Sequence, residues 1–120
     1  MAKVRDVMSA RLHTVEPGDT VGEAVAVMAQ NRVGSVLIMD GERLLGIFTE
    51  RDTIRALSQA HDAARHEIVS WMTNDPKTVG PEEDSEDALR TMLDSGFRHL
   101  PVVEGGKLVG IVSMRDLTIR

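Results

Sequence analysis

The sequence has no cysteine, and its aromatic side chains are limited to Phe48, Trp71 and Phe97. Without cysteine the chain can form neither a disulfide nor a thiolate metal site, and nothing in the composition marks a redox compartment. The four histidines lack the spacing of metal ligands, so we expect no metal site. Because aromatic residues are scarce, a hydrophobic core has to be built from aliphatic side chains and methionine.

Long apolar runs and an excess of basic residues are missing as well. No run approaches the roughly 20 apolar residues that span a bilayer, and residues 1–6 lack the apolar stretch of a signal peptide. The net charge of −5 argues against a general nucleic-acid binder, which carries a basic face. We therefore expect a cytoplasmic protein that binds neither membranes nor nucleic acid, with room for a small basic pocket.

The most informative feature is an internal repeat. Residues 5–56 align with residues 69–120 at a constant offset of 64 and without a gap, and 12 of the 52 aligned pairs are identical. The identical pairs are Met8/Met72, Thr14/Thr78, Val15/Val79, Pro17/Pro81, Ala24/Ala88, Met28/Met92, Gly41/Gly105, Leu44/Leu108, Gly46/Gly110, Ile47/Ile111, Arg51/Arg115 and Asp52/Asp116. A gapless match through turns and apolar runs predicts a duplicated structural unit.

In each copy the pattern predicts a short extended piece followed by a helix. The extended pieces cover residues 12–15 and 77–79. In the first copy Thr20 and Glu23 have the spacing of a capping box, whereas Asp84 and Asp87 fit the same positions less well in the second. Gly96 suits the left-handed end of the second copy's helix.

Two strands and a further helix complete each copy. The strands are expected at residues 36–39, 44–48, 100–103 and 108–112. Their near-continuous apolar character predicts that both faces are covered, and Pro101 should lie at a strand start or a sheet edge. A helix is expected from Thr49 to about Ala60, and a last helix of about one turn at 117–120. The predicted domains are residues 1–60 and 68–120, with a connector at 61–67.

Each copy also ends in one motif: Gly, two apolar residues, Thr or Ser, two further residues, and Asp. The two signatures are Gly46-Ile47-Phe48-Thr49-Glu50-Arg51-Asp52 and Gly110-Ile111-Val112-Ser113-Met114-Arg115-Asp116. Further pieces are Asp6-Val7-Met8-Ser9, Trp71-Met72-Thr73 and Phe97-Arg98-His99-Leu100-Pro101-Val102-Val103. With these motifs in tandem, essentially the whole chain resembles a CBS-domain pair, also called a Bateman module.

The resemblance implies an α/β (α+β) fold of two tandem β-α-β-β-α units, packed as a pseudo-twofold pair through their sheets. It implies a regulatory module without catalysis of its own, which senses energy or redox state through an adenine nucleotide in the cleft between the units. AMP, ADP, ATP, NAD(H) and S-adenosylmethionine are the ligands of this family, and no further cofactor is required. The expected partners are a second copy of the chain, as a homodimer of pairs, and an effector protein.

The resemblance also implies composite clefts, in which one unit supplies the Thr or Ser and the Asp while the other supplies a strand start. The preferred cleft contains Val33, Gly34, Ser35, Arg98, His99, Ser113, Arg115 and Asp116. The second cleft contains Thr49, Arg51, Asp52 and Phe97. His13 lies where the first strand of the family passes the base, and a plain surface histidine is the alternative. The preference arises because Gly34-Ser35 leaves room for an adenine ring, while the Arg98 guanidinium suits a phosphate.

Thr49 and Asp52, like Ser113 and Asp116, also have the spacing of an N-cap and the third residue of a helix. From spacing alone we favour a helix cap. A binding role uses the same geometry, because a helix N-terminus offers N–H groups to a phosphate and a carboxylate can accept both hydroxyls of a ribose. The two roles are compatible.

Two other classes of function stay open. The chain is then either a protein-interaction or assembly module with vestigial clefts, or the regulatory part of a larger enzyme, such as a dehydrogenase of the inosine-monophosphate type, or of a transporter. The sequence contains no nucleophile with its base, no Walker loop and no dinucleotide fingerprint, so we expect no enzyme activity. Two complete signatures favour nucleotide sensing, because a scaffold does not need them.

Overall fold

The computed structural model describes residues 2–118. The predicted helices and strands occur in the predicted order, except that residues 77–79 form no strand, and a short helix at Val4–Val7 and a short strand at Thr73–Asn74 are present in addition. In chain order they are α1 (Val4–Val7), β1 (Thr14–Val15), α2 (Val21–Asn31), β2 (Ser35–Asp40), β3 (Arg43–Thr49), α3 (Glu50–Gln59), 3₁₀ turns at Ala63–Arg65 and Ile68–Ser70, β4 (Thr73–Asn74), α4 (Ser85–Ser95), β5 (His99–Glu104), β6 (Lys107–Ser113) and α5 (Met114–Thr118). Of the last predicted helix, Ile119 and Arg120 lie outside the described residues. None of the helices within 2–118 is long and apolar enough to cross a membrane.

The chain divides into two compact units that differ from the two sequence copies. The first unit is His13–Pro76, and the second comprises the described parts of Met1–Leu12 and Lys77–Arg120. The segment that precedes the first strand of each copy therefore packs with the other copy's strands. The domain boundaries proposed above follow the sequence repeat and stay a prediction.

The first unit contains a four-stranded sheet in the order β1-β2-β3-β4. β1 runs parallel to β2, whereas β3 is antiparallel to both β2 and β4. Apolar residues of β2 and β3 pack against α2 and the second 3₁₀ turn. The buried core consists of Val15, Val21, Ala24, Met28, Val36, Ile38, Phe48 and Ile68. It is thus mostly aliphatic, as the composition predicts.

The second unit repeats the order helix, strand, strand, helix in α4, β5, β6 and α5, but it has fewer strand pairs. β5 and β6 form an antiparallel hairpin, and among the described residues of this unit further pairing is limited to single bridges. Two of these bridges join Val79 to Val102 and Ser9 to Ile111. The core of this unit consists of Val4, Val79, Ala88, Met92, Leu100, Val102, Val112 and Leu117.

A proline explains why the extended piece predicted at 77–79 forms only a bridge. In the first unit the Leu37 amide donates to the His13 carbonyl at 3.0 Å, which extends the β1–β2 pairing. The aligned residue of the second copy is Pro101, which has no N–H to donate. Pro101 is the third residue of β5 and faces the side where the sheet continues only through Val79. This placement agrees with the predicted edge position.

The helix starts are capped by side chains. Thr20 and Glu23 form the predicted capping box, with the Thr20 amide donating to Glu23 Oε1 at 3.0 Å and the Glu23 amide donating to Thr20 Oγ1 at 3.1 Å. In the second copy Asp84 accepts from the Glu86 amide at 3.0 Å, and Asp87 takes no part in the cap. The weaker match of the second copy to a capping box is therefore visible in the structure.

The two aligned helix ends share one backbone conformation on different residues. Gly96 ends α4 with φ of 77°, as predicted, and the aligned Arg32 ends α2 with φ of 54°. A left-handed backbone costs a residue with a side chain roughly 1–2 kcal/mol, whereas glycine adopts it freely. Arg32 therefore carries strain that its counterpart avoids.

Two aligned glycines allow a neighbouring segment to cross each hairpin. A Cβ atom built on Gly46 would lie 2.6 Å from Met72 Sδ and 2.7 Å from the Thr73 carbonyl oxygen. At Gly110 the corresponding distances are 2.7 Å to Met8 Sδ and 2.9 Å to the Ser9 carbonyl oxygen. The signature glycine is thus required by a close backbone approach within each unit.

We predict that Arg32→Gly raises the free energy of unfolding by about 0.5–1 kcal/mol, because glycine relieves the left-handed strain and gives back part of the gain through unfolded-state entropy. The reciprocal change Gly96→Arg should lower it by about 1 kcal/mol. Urea denaturation measures both changes. A destabilising Arg32→Gly would show that the arginine side chain has a stabilising role that outweighs the strain.

We predict that Gly46→Ala and Gly110→Ala each lower the free energy of unfolding by about 1–3 kcal/mol, since the added methyl group displaces a backbone carbonyl and a methionine. Gly80→Ala is the matched control, because a Cβ atom there meets its nearest atom only at 3.6 Å. Thermal or urea unfolding gives the values. Equal stability of all three variants would contradict the close-approach argument.

Candidate functional site

In the first copy the signature Thr and Asp form a reciprocal cap at the junction of β3 and α3. The Thr49 amide donates to Asp52 Oδ2 at 3.0 Å, and the Thr49 hydroxyl donates to the same oxygen at 3.2 Å. The Asp52 amide donates back to Thr49 Oγ1 at 3.2 Å. Only 11% of the Asp52 side chain is exposed, so the cap places a carboxylate in a sheltered position.

The start of β2 lies directly beside this cap. Ser35 is the register partner of Thr49 across the β2–β3 pair, and the Glu50 amide donates to the Gly34 carbonyl at 3.1 Å. Ser35 is buried, and His13 directly precedes β1, where its carbonyl accepts from the Leu37 amide of β2. The first unit therefore brings the predicted residues of the β2 start next to the predicted residues of the α3 start.

The second copy repeats this arrangement with different side chains. The Ser113 amide donates to Asp116 Oδ2 at 2.8 Å, and the Asp116 amide donates to Ser113 Oγ at 3.1 Å. His99 is the register partner of Ser113, and the Met114 amide donates to the Arg98 carbonyl at 2.8 Å. The spacing argument for a helix cap is thus correct in both copies.

The predicted site residues fall into two groups, one in each unit. The first unit holds His13, Val33, Gly34, Ser35, Thr49, Arg51 and Asp52, and the second holds Phe97, Arg98, His99, Ser113, Arg115 and Asp116. Arg51, Arg115, Phe97 and Arg98 are exposed, and His13, Val33 and His99 are half-buried. The composite clefts combine residues of both units and stay a prediction.

Each group can accept hydrogen bonds through a carboxylate, but several backbone donors near the first carboxylate are already used. The Asp52 amide is bonded to the Thr49 hydroxyl, and the Glu50 amide to Gly34. A ligand phosphate at this helix start would have to compete with these bonds. No cluster of metal-ligating side chains is found among residues 2–118.

Sequence reasoning missed two residues beside Asp52. Arg55 Nη2 lies 3.4 Å from Asp52 Oδ1 and donates to the Trp71 carbonyl at 2.8 Å. The i, i+3 spacing of Asp52 and Arg55 on a helix is a signal that sequence contains. The contact with Trp71 depends on how the segment after the connector folds back, and no local pattern indicates it.

The sequence comparisons can now be set beside this geometry. A family model described as CBS domain matches residues 4–59 and again residues 65–119. An uncharacterized 17.7 kDa protein of Acidianus ambivalens is 40% identical over 96% of this chain and 70% of its own length. CBS domain-containing protein YhcV of Bacillus subtilis is 32% identical over 99% of this chain and 85% of its own. An inosine-5'-monophosphate dehydrogenase of Korarchaeum cryptofilum is 35% identical, and the match covers 98% of this chain but 23% of the enzyme.

Solved structures of similar fold include three CBS-domain proteins. ATU1752 from Agrobacterium tumefaciens has a TM-score of 0.92 at 30% identity, over 97% of this chain and 96% of that one. PAE2072 from Pyrobaculum aerophilum, complexed with AMP, has a TM-score of 0.90 at 27% identity, over 99% and 92%. The CBS domain pair of MJ0100, in complex with 5′-methylthioadenosine and S-adenosyl-L-methionine, has a TM-score of 0.89 at 25% identity, over 98% and 97%. The predicted fold class is confirmed.

We predict that Thr49→Ala lowers the free energy of unfolding of the ligand-free protein by about 1 kcal/mol, because the substitution removes the N-cap of α3. Thr53→Ala is the matched control one turn along the helix, where the hydroxyl only bonds back to the Thr49 carbonyl. That change should stay within about 0.5 kcal/mol. Urea denaturation compares the two, and equal effects would contradict the capping role.

Proposed function

Because this chain belongs to the CBS-domain family, we propose that it is a regulatory module that binds an adenine nucleotide and senses the energy or redox state of the cell. The observation that carries this proposal is the pair of signature aspartates. Each is fixed by a reciprocal hydrogen bond with the Thr or Ser three residues before it. A carboxylate held in this way is a ready acceptor for the two hydroxyls of a ribose.

Ligands of related proteins support an adenosine-containing ligand. PAE2072 was solved with AMP, and MJ0100 with 5′-methylthioadenosine and S-adenosyl-L-methionine. All three ligands share the adenosine moiety and differ at the 5′ position. The shared adenosine suits the signature aspartates, which recur in both copies. The group at the 5′ position would contact residues that differ between the copies.

The differing residues include those at the two strand starts. At the aligned positions the first copy has Gly34-Ser35 and the second has Arg98-His99. The Arg98 side chain is exposed, and its guanidinium suits a phosphate in a two-pronged hydrogen bond. We place the preferred ligand with Asp116, Ser113 and Arg98, together with Gly34-Ser35 against the adenine.

Regulation then follows from differential affinity. A ligand shifts a conformational equilibrium only as far as it binds one state better than the other. In this proposal the module regulates an effector protein and catalyses no reaction itself. It forms a homodimer of pairs and is located in the cytoplasm. We include AMP, ADP, ATP, NAD(H) and S-adenosylmethionine as candidate ligands because they share an adenosine.

A second candidate function is that of a regulatory part within a larger enzyme. The observation that favours it is the match to the inosine-5'-monophosphate dehydrogenase of Korarchaeum cryptofilum, which involves 23% of that enzyme. In this case the same ligand sites would control the activity of a catalytic domain. Both candidates predict nucleotide binding by this chain, so binding is the first property to measure.

We predict that one or more of AMP, ADP, ATP, NAD, NADH and S-adenosylmethionine raises the melting temperature of the protein. A ligand at 100 times its dissociation constant adds about 2.7 kcal/mol, which corresponds to a shift of about 10 °C for a chain of this size. Asp116→Ala should abolish most of the shift, measured against its own ligand-free melting temperature, and Asp52→Ala should reduce it less.

Asp87→Ala is the control for this experiment, because Asp87 is an exposed helix aspartate paired only with Arg90 on the described surface. Its ligand-induced shift should equal that of the wild type. If no ligand at millimolar concentration shifts the wild type, nucleotide sensing is wrong, and the assembly module becomes the better interpretation.

A further inference from the structure

The two signature aspartates differ in the oxygen atoms that they can offer to a ligand. In the first copy Asp52 Oδ2 accepts two hydrogen bonds from Thr49, and Asp52 Oδ1 is 3.4 Å from Arg55 Nη2. In the second copy Asp116 Oδ2 accepts from the Ser113 amide, and Asp116 Oδ1 has no hydrogen-bond partner in the described chain. Both oxygens of the Asp52 carboxylate thus have a partner, whereas among residues 2–118 none is found for Asp116 Oδ1.

Arg55 is held against Asp52 by a tryptophan. Its Nη2 atom donates to the Trp71 carbonyl oxygen at 2.8 Å, and its guanidinium carbon lies 5.6 Å from the centre of the Trp71 ring. An Arg–Asp pair that is half exposed contributes little by itself, and 46% of the Arg55 side chain is exposed. The contacts with Trp71 add a short hydrogen bond and a cation–π attraction, and they fix the guanidinium in place.

Trp71 is fixed in turn by the segment that connects the copies. Its indole Nε1 donates to His66 Nδ1 at 3.0 Å, and His66 Nε2 lies 3.1 Å from Asp62 Oδ1. Because an indole N–H can only donate, His66 Nδ1 has to accept, and the imidazole proton is on Nε2, facing Asp62. A continuous chain of contacts thus leads from the connector to the Asp52 carboxylate.

The second copy lacks the side chains for such a chain of contacts. At the offset of 64, the residue aligned with Trp71 is Val7, and the residue aligned with Arg55 is Ile119. Neither aliphatic side chain can supply an indole or a guanidinium. The sequence of the second copy therefore provides no counterpart, at the aligned positions, of the arginine and tryptophan that contact Asp52.

We propose that Arg55, anchored on Trp71, is a positioning residue that makes the Asp52 site bind ribose hydroxyls more weakly than the Asp116 site. The inference rests on the proposed function, in which each aspartate accepts the hydroxyls of a nucleoside. A nucleoside at Asp52 competes with the guanidinium for Oδ1, whereas no cation of residues 2–118 is found on Asp116 Oδ1. The two sites then fill in order as the ligand concentration rises, so one chain responds over a wider range of concentrations than two equal sites would.

The test uses adenosine and calorimetric titration in an Asp116→Ala background, where the Asp52 site keeps the remaining signature aspartate. Adenosine carries no phosphate, so removing the Arg55 charge does not cost it an ion pair. Arg55→Gln should tighten adenosine binding about fivefold, the factor that corresponds to releasing an exposed ion pair. Damage to the fold would weaken binding, so a gain in affinity is specific to the proposed role.

Arg90→Gln in the same background is the matched control. Arg90 Nη1 lies 3.5 Å from Asp87 Oδ1 with the same i, i+3 spacing on a helix. Its removal should leave the dissociation constant of adenosine unchanged. An Arg55→Gln variant that binds adenosine equally or more weakly overturns the proposal.

A measurement without ligand separates this inference from the proposed function. In a double-mutant cycle of Arg55→Gln and Asp52→Asn, followed by urea denaturation, the effects on the unfolding equilibrium constant should deviate from a simple product by about two- to fivefold. A simple product shows that Arg55 does not hold Asp52 and overturns the proposal. If the wild type binds neither adenosine nor any of the six candidate nucleotides, the proposed function fails and the ordered filling with it. If only adenosine binding is missing, the cycle still decides whether Arg55 holds Asp52.

Discussion

The close approach of a crossing segment to the signature glycine is the constraint on which each unit depends. At Gly46 and at Gly110 there is no room for a Cβ atom between the strand and a methionine-containing segment. In the first unit this segment pairs with β3 as strand β4, and in the second Ser9 bridges to Ile111. The glycine therefore allows a neighbouring segment to pair with the edge of the strand. The same strand ends at the Thr or Ser that caps the next helix.

The candidate sites inherit their geometry from that strand. β3 and β6 each end at the capping residue, so the strand fixes the position of the hydroxyl and the first turn of the helix fixes the carboxylate. In the proposed function, stability and binding use one set of hydrogen bonds. A substitution of Asp52 or Asp116 alters the fold locally as well as the acceptor, and this is why each variant has to be compared with its own ligand-free state.

Much of this arrangement could be predicted from the sequence, because it depends on local signals. The Thr20–Glu23 capping box, the left-handed end at Gly96 and the paired caps at Thr49 and Ser113 follow from spacing within one or two helical turns. The Trp71–Arg55 contact was missed because it joins segments 16 residues apart. The left-handed Arg32 was missed because arginine is not typical of that conformation. The absence of a strand at 77–79 could have been predicted from Pro101, since the missing N–H of proline is a local property.

The segment around α1 packs with the second copy, and this determines the order in which the two units can fold during synthesis. The first unit, His13–Pro76, is continuous and has all its parts once Pro76 has left the ribosome. The segment around α1 cannot fold at that stage, because its partners come later in the chain. The Val4 amide bonds to the Glu83 carbonyl, and Ser9 pairs with Ile111. The segment around α1 is thus made before the first unit but can find its partners only after it. Until then the backbone of this segment is unpaired. It can contact neighbouring chains and chaperones while synthesis continues.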